Sequence, residues 1–515
     1  MSDALYKDPQ PIGQAWLRRE LNLPVPPAGS ESYVVAGARR TEAHGANAVE
    51  FYPRQYATDS TVVAHLRFAL RHEPLDLGVI AATMKAIDAA NLEDWLRREP
   101  TGGFSRRAWF FFELFTGCLL DIPDARTGNY VEALDPTRHF VAERRNSVRH
   151  RVSDNLLGDA SLCPTVRRTA KLDAQITAQI DQEARALTER YDPITLARAI
   201  SYLYTKETRS SFAIEGETLT PARSDRFVSV LRAAPAFNLD DAAALIRLQG
   251  EIVDPRYAAQ GWRNFQNFVG ETVGGYREKV HFICPRPEAV PDLMAGWARL
   301  TQRLLQSRVE PVISAAVSAF SFVFIHPFED GNGRLHRFLI HAILAKQNFS
   351  PPDIVFPVSA AILRDRRLYD EALEAFSGAL TPFIFWDWTS DQEISVKNNT
   401  DDLYRYFDAT AQAEYLYDRV ADTIHRDLKE ELGFVAVFDR ALAGVSNVVD
   451  MPDRRASLFV RLCLQNGGRL AGGRRTTFAE LTDGEIAAME EAVQAATAIE
   501  AGEPKQPGVD TGIRT

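Results

Sequence analysis

The run His326-Pro327-Phe328-Glu329-Asp330-Gly331-Asn332-Gly333-Arg334-Leu335-His336-Arg337 places a base, a hard-oxygen carboxylate, a glycine-rich loop and two guanidiniums within a dozen positions. It is flanked by Ile313 to Ile325 and by Phe338 to Leu344, apolar stretches free of Gly and Pro and long enough to be buried helices. The run is therefore read as a helix–loop–helix junction.

The residue types at this junction suit phosphate chemistry. Gly331 and Gly333 lack a Cβ, so backbone N–H groups can approach a ligand closely, and the following helix starts with free N–H groups and a positive dipole end. Arg334 and Arg337 are three apart and share a helix face, where planar forks can grip phosphate oxygens. Asp330 is the single carboxylate that Mg²⁺ takes alongside substrate phosphates, and His326 is the natural general base.

The junction resembles the signature of the Fic family, His-x-Phe-x-Asp/Glu-Gly-Asn-Gly-Arg-x-x-Arg, and matches it at every fixed position. The resemblance implies a mainly α, helical Fic fold with a small β-hairpin flap, and transfer of AMP from Mg-ATP to a hydroxyl side chain of a target protein. His326 would be catalytic, Asp330 would hold the metal (Mg²⁺, with Mn²⁺ an alternative), and Gly331, Asn332, Gly333, Arg334 and Arg337 would bind the nucleotide phosphates.

Upstream, Ser210-Ser211-Phe212-Ala213-Ile214-Glu215-Gly216 resembles the inhibitory signature Ser/Thr-x-x-x-Glu-Gly/Asn of many Fic proteins. Ser211 and Glu215 are four apart, on one face of a helix expected near 194–216, and Gly216 suits its end. In the family this glutamate pairs with the second arginine of the motif, here Arg337, and obstructs the γ-phosphate; an alternative is that Glu215 positions water for removal of AMP.

Between these elements, Gln266 to Gly270 and Lys279 to Cys284 look extended and are joined through Gly274-Gly275, which reads as a hairpin resembling the Fic flap, near 264–286. Such an edge can register a target segment by strand addition. Downstream, Asp365 stands where relatives often carry Asn, and Tyr369 is the candidate nucleotide-pocket aromatic, with a core role as the alternative.

At 515 residues the chain exceeds one typical domain. The expected division is an N-terminal helical extension over 1–160, a catalytic region over 161–395, a C-terminal helical accessory domain over 396–500, and a disordered tail over 501–515. Within the C-terminal part, Gly467 to Arg475 is either a basic turn or the wing of a winged helix, and Thr482-Asp483-Gly484-Glu485 matches a capping box. The net charge of −10 offers no global attraction to nucleic acid or anionic membrane, and no apolar run approaches spanning length. The start of the chain lacks a secretory layout, so a cytoplasmic location is the expectation. Four scattered cysteines indicate neither a disulfide framework nor a zinc site, and the Gly-x-x-x-x-Gly-Lys-Ser/Thr loop is absent.

Expected partners are ATP and a target protein docked on the flap, with a homodimer left open. The rival readings are a Fic-type transferase using another nucleotide or phosphodiester donor, and a nucleotide-sensing DNA-binding regulator. The regulator draws on Arg144-Arg145, Arg149-His150-Arg151 and Arg167-Arg168.

Overall fold

A computed structural model describes residues 8–273, 277–391 and 393–502. Gly274-Gly275 at the flap tip and all but the first two residues of the 501–515 tail lie outside the described residues. The chain is mainly helical, and the described strands form one four-stranded, one three-stranded and two two-stranded sheets.

The helix Pro311–Ile325 is the axis of the catalytic region. Its start is specified locally: Pro311 occupies the first turn, and the Glu310 side chain accepts from Ile313 N at 2.7 Å. Apolar on all sides, it is buried along nearly its whole length, as a central core helix must be. Asn332–Lys346 packs against it, and Trp297, Phe320, Phe322, Leu335 and Leu339 belong to the same core.

The helix carrying Ser211 runs Pro193–Ile214, capped by Asp192, whose carboxylate accepts from Ile194 N and Thr195 N. It ends where the sequence suggests. Gly216 adopts φ +70°, Glu217 N donates to Phe212 O and Gly216 N to Ala213 O, the paired bonds of a left-handed C-terminal cap. A buried network ties this helix to the catalytic pair: Glu207, fully buried, accepts from Ser359 N at 2.8 Å and meets His341 Nε2 at 2.9 Å.

The flap is the antiparallel pair Phe268–Val273 and Arg277–Ile283, with a register irregularity at Val269/Gly270. A second hairpin, Trp386–Trp388 with Ile394–Val396, leans on it through an edge-on contact between Trp388 and Phe268. No periodicity signal had marked that hairpin.

The ends of the chain differ in detail from the expected division. The N-terminal part combines helices such as Val62–His72 and Gly103–Thr116 with the sheet formed by Gln10–Ile12, Ser30–Val35, Arg40–His44 and Asn47–Pro53. The position expected for a boundary, 396, falls inside the main core, which runs from Leu23 to Val435, while a separate apolar cluster begins at Phe438 and extends to Ala496. The winged-helix alternative is corrected: Gly472–Phe478 is a 3-10 turn rather than a hairpin, and Arg475 is used inside the domain, donating to Phe478 O and Leu481 O. The capping box at Thr482 forms as expected, with Thr482 N to Glu485 Oε2 at 2.7 Å and Glu485 N to Thr482 Oγ1 at 3.2 Å.

Candidate active site

His326 terminates Pro311–Ile325 in the left-handed region at φ +52°, a conformation that a non-glycine residue holds only when its surroundings demand it. That turn swings the imidazole to the wall of a cavity of about 840 Å³. Nδ1 lies 3.2 Å from Val323 O, so Nδ1 carries the proton and Nε2 keeps its lone pair. Burial, helped by the positive charge of Arg263, pushes the His326 pKa down to about 4, leaving a neutral imidazole at physiological pH.

The loop after His326 is held from within and from behind. Asn332, 2% exposed, accepts from Phe328 N at 3.1 Å and donates to Phe328 O at 2.9 Å, so its side chain shapes the loop while its backbone starts the helix Asn332–Lys346. Gly331 has φ +86°, and a Cβ there would stand 2.7 Å from Val253 Cγ1. Gln249, fully buried, donates to Asp330 O at 3.1 Å.

Both arginines lie beneath this loop and are almost wholly buried. Arg337 donates to Ser211 Oγ and Ser211 O, each at 2.8 Å, and to Glu215 Oε1 at 2.7 Å. Arg334 pairs with Glu215 Oε2 at 2.7 Å, Glu217 Oε1 at 2.7 Å and Asp330 Oδ1 at 3.0 Å. Glu215 therefore bridges both guanidiniums, and it presses on the cradle itself, since a Cβ on Gly333 would be 2.5 Å from its Oε1.

The structure thus brings His326, Asp330, Gly331, Gly333 and Glu215 to one cavity, with Arg334, Arg337 and Ser211 directly behind. Tyr369 is not part of that wall. It is 6% exposed, packed near His336 and Tyr415, with its hydroxyl toward Arg337 and its pKa pushed up to about 12 by burial, so it is placed as a core aromatic. From the same helix, Arg366–Leu380, it is Arg366, Asp370, Leu373, Glu374 and Ser377 that line the cavity. Asp365 caps that helix, accepting from Leu368 N at 3.4 Å.

Three contributors escaped the sequence reading. Glu217 doubles the carboxylate on Arg334, Gln249 braces the loop, and Arg263 donates to the carbonyl of His326 at 2.8 Å. Glu217 was legible in principle, two residues past Glu215 and just beyond a helix stop; the other two carry no local signal.

Asp330 is a partly exposed carboxylate on the cavity wall, which fits a magnesium ion bound through one carboxylate and phosphate oxygens. Both its oxygens also meet Arg334 Nη2, at 3.0 and 3.2 Å, so guanidinium and metal would compete for it.

The basic stretch that favoured a DNA-binding regulator is largely spent within the fold. Arg144 pairs with Glu132, Arg149 with Glu113 and Asp124, His150 with Glu113, Arg167 with Asp408, and Arg168 with Asp173. Among the described residues, no helix is long and apolar enough to cross a membrane.

Comparison with known proteins falls on the same region. The Fic/DOC family model matches residues 238–344. A protein adenylyltransferase Fic of Nematostella vectensis is 28% identical over 270 residues, covering 48% of this chain and 62% of the relative. One of Aedes aegypti is 25% identical over 244 residues, covering 42% and 47%. The chain thus spans less than two thirds of the length of these relatives. Among solved structures, a Fic family protein from Desulfovibrio desulfuricans G20 is similar at 19% identity and a TM-score of 0.38, over 61% of this chain and 87% of the other. The matched segment holds the flap, the His326 loop and both buried arginines, and over that segment the chain is similar to the Fic/DOC family.

Proposed function

We propose that this protein is a protein adenylyltransferase that moves AMP from ATP to a hydroxyl side chain of a target protein and that Glu215 holds it in a resting state. The observation that carries the reading is the convergence of a neutral imidazole and a glycine loop at a helix N-terminus on one cavity, with two buried guanidiniums directly behind it, in a chain similar to enzymes of that name.

The chemistry follows from the residues. His326 Nε2 takes the proton of the target hydroxyl as its oxygen forms a bond to the α-phosphorus; the bond from that phosphorus to the bridging oxygen breaks, and pyrophosphate departs. The N–H groups that open Asn332–Lys346, and the Arg334 and Arg337 forks once Glu215 is displaced from them, would meet the charge that gathers on the leaving group. Asp330 would hold Mg²⁺, or Mn²⁺ in its place, and the ion would supply charge neutralisation for the phosphates. The flap edge at Phe268 to Glu271 lines the same cavity and offers main-chain pairing to a target segment.

In the resting arrangement the phosphate grips are taken. Glu215 satisfies both arginines with one carboxylate, so a triphosphate must displace a bidentate ion pair to use them. The test is incubation of wild type, Glu215→Gly and Glu215→Gly/His326→Ala with Mg²⁺ and ATP labelled on the α-phosphate. Label should appear on Glu215→Gly and vanish with His326→Ala; equal labelling of wild type and Glu215→Gly would remove the autoinhibited reading. No label on any form, with ATP bound, would remove adenylyl transfer to the protein itself.

A further inference from the structure

Arg263 lies just before the flap, 5% exposed, and among the described residues its side-chain hydrogen bonds go to no carboxylate. Its guanidinium is instead shared among four backbone carbonyls. Nε donates to His326 O at 2.8 Å, Nη1 to Phe265 O at 2.8 Å, and Nη2 to Pro285 O at 2.6 Å and to Ile325 O at 3.4 Å. Its own backbone N–H donates to Pro327 O at 2.8 Å.

Each of these contacts has a physical reason. Ile325 and His326 are at the end of Pro311–Ile325, where carbonyls lack intrahelical partners and the dipole is negative, so a cation there is favourable. Phe265 and Pro285 flank the two strands of the flap. One fork therefore fastens the left-handed turn of the base and both roots of the hairpin that would register the target.

We propose that Arg263 is a positioning residue for group transfer: it fixes the backbone of His326 against the flap, so that the base and the target-docking edge keep one relative placement. The inference rests on the transfer reading given above. It assigns Arg263 no contact with nucleotide or target. Without the fork, His326 is free to leave its strained turn, and Nε2 loses its aim; misplacement by about 1 Å can lower a rate on the order of a hundredfold. A buried cation beside the ring also disfavours a second proton on it, which agrees with the depressed His326 pKa. The other charged groups around the cavity that bear on that titration are Glu329 and Asp330 of the loop, Glu271 and His281 of the flap, Glu215 and Glu217, and Arg366, Asp370 and Glu374 of the helix opposite.

The experiment introduces Arg263→Gln and Arg263→Lys into the full chain carrying Glu215→Gly. Self-labelling from ATP labelled on the α-phosphate gives the maximal rate and the ATP concentration for half-maximal rate. NMR of histidine ring carbons, assigned with His326→Ala, gives the His326 titration midpoint. Arg263→Gln should lower the maximal rate about 10- to 100-fold, leave the half-maximal ATP concentration unchanged, and move the midpoint up. Arg263→Lys, which keeps the charge but not the fork, should hold the midpoint and still lose about fivefold or more in maximal rate. A wild-type maximal rate and midpoint in Arg263→Gln overturn the proposal; if that variant fails to fold, a wild-type maximal rate in Arg263→Lys does so. If no form transfers AMP, the transfer reading fails, and an unmoved His326 midpoint in Arg263→Gln would still overturn the placement of the base by Arg263.

Discussion

Glu217 offers a perturbation whose size can be worked from the geometry. Arg334 is fully buried and meets three carboxylates, of Glu215, Glu217 and Asp330, as well as Ile252 O at 3.0 Å. A phosphate that recruits Arg334 must therefore compete with Glu217 even after Glu215 is gone. A hydrogen bond to a charged group contributes about 1.5–3 kcal/mol, roughly twice its neutral counterpart. Glu217→Gln keeps a neutral acceptor of the same shape, and Glu217 is 29% exposed, which screens part of the charge term. The expected loss from the resting arrangement is about 1 kcal/mol, or about fivefold in its equilibrium with an arrangement where Arg334 is free.

The assay is the half-maximal ATP concentration for self-labelling, compared between Glu215→Gly and Glu215→Gly/Glu217→Gln. The double variant should need about fivefold less ATP, at a similar maximal rate. A control has the opposite sign: Arg223 holds Glu217 Oε2 at 2.6 Å, so Arg223→Gln should leave Glu217 wholly on Arg334 and raise the ATP requirement. Equal ATP dependence in single and double variants would refute the second-carboxylate reasoning.

Other consequences are equally direct. With the His326 pKa pushed down to about 4, self-labelling by Glu215→Gly should change little between about pH 6 and 8 and fall at lower pH as the ring protonates, a profile read from initial rates. His336, fully buried with Nδ1 2.8 Å from Ala319 O and its pKa pushed down to about 3 by burial, is neutral in the fold and protonates more readily once unfolded. Its contribution is whole above about pH 6.5 and is lost as pH falls toward 3, a loss on the order of a few kcal/mol that denaturant titrations across that window should show. Glu207→Ala strands Ser359 N and His341 in the interior and should destabilise the protein by about 2–4 kcal/mol in urea unfolding, whereas Glu207→Gln should destabilise less. Gly331→Ala combines a left-handed φ with a Cβ 2.7 Å from Val253 and should lower the melting temperature, with about 1–2 kcal/mol from the backbone alone.

What the sequence disclosed and what it hid divide along physical lines. The core helices and the His326 loop were readable because apolar runs and a dense motif are local signals. Ser211, Glu215 and Gly216 were readable because helical spacing and a left-handed cap are local too, and the fold does bring the first two onto Arg337. Tyr369 was left between pocket and core because period alone cannot tell a core face from a cavity face; it packs in the core, and Asp370 and Glu374 of the same helix line the cavity. Arg263 and Gln249 act on carbonyls 63 and 81 residues away, and carbonyls leave no trace in sequence. The hairpin Trp386–Trp388 with Ile394–Val396 went unread because three-residue strands carry too little alternation.

The charges at the resting site also explain why the arginines tolerate complete burial. Arg334 and Arg337 face three carboxylates, Glu215, Glu217 and Asp330, and Arg223 pairs with Glu217 as well, so three guanidiniums balance three carboxylates. A triphosphate arriving alone brings its own negative charge against these carboxylates, and a divalent cation engaged by Asp330 would offset it while freeing Arg334 from one of its partners. Nucleotide and metal should therefore bind cooperatively, and the coupling should shrink when Glu217 is neutralised, since one of the carboxylates that repel the phosphates is then gone without the metal. Calorimetric titration of ATP with and without Mg²⁺ into Glu215→Gly/His326→Ala, with and without Glu217→Gln, measures that coupling. Mg²⁺ enhancement of the same size in both backgrounds would show that the metal acts through the phosphates alone and not through the charge balance of the cluster.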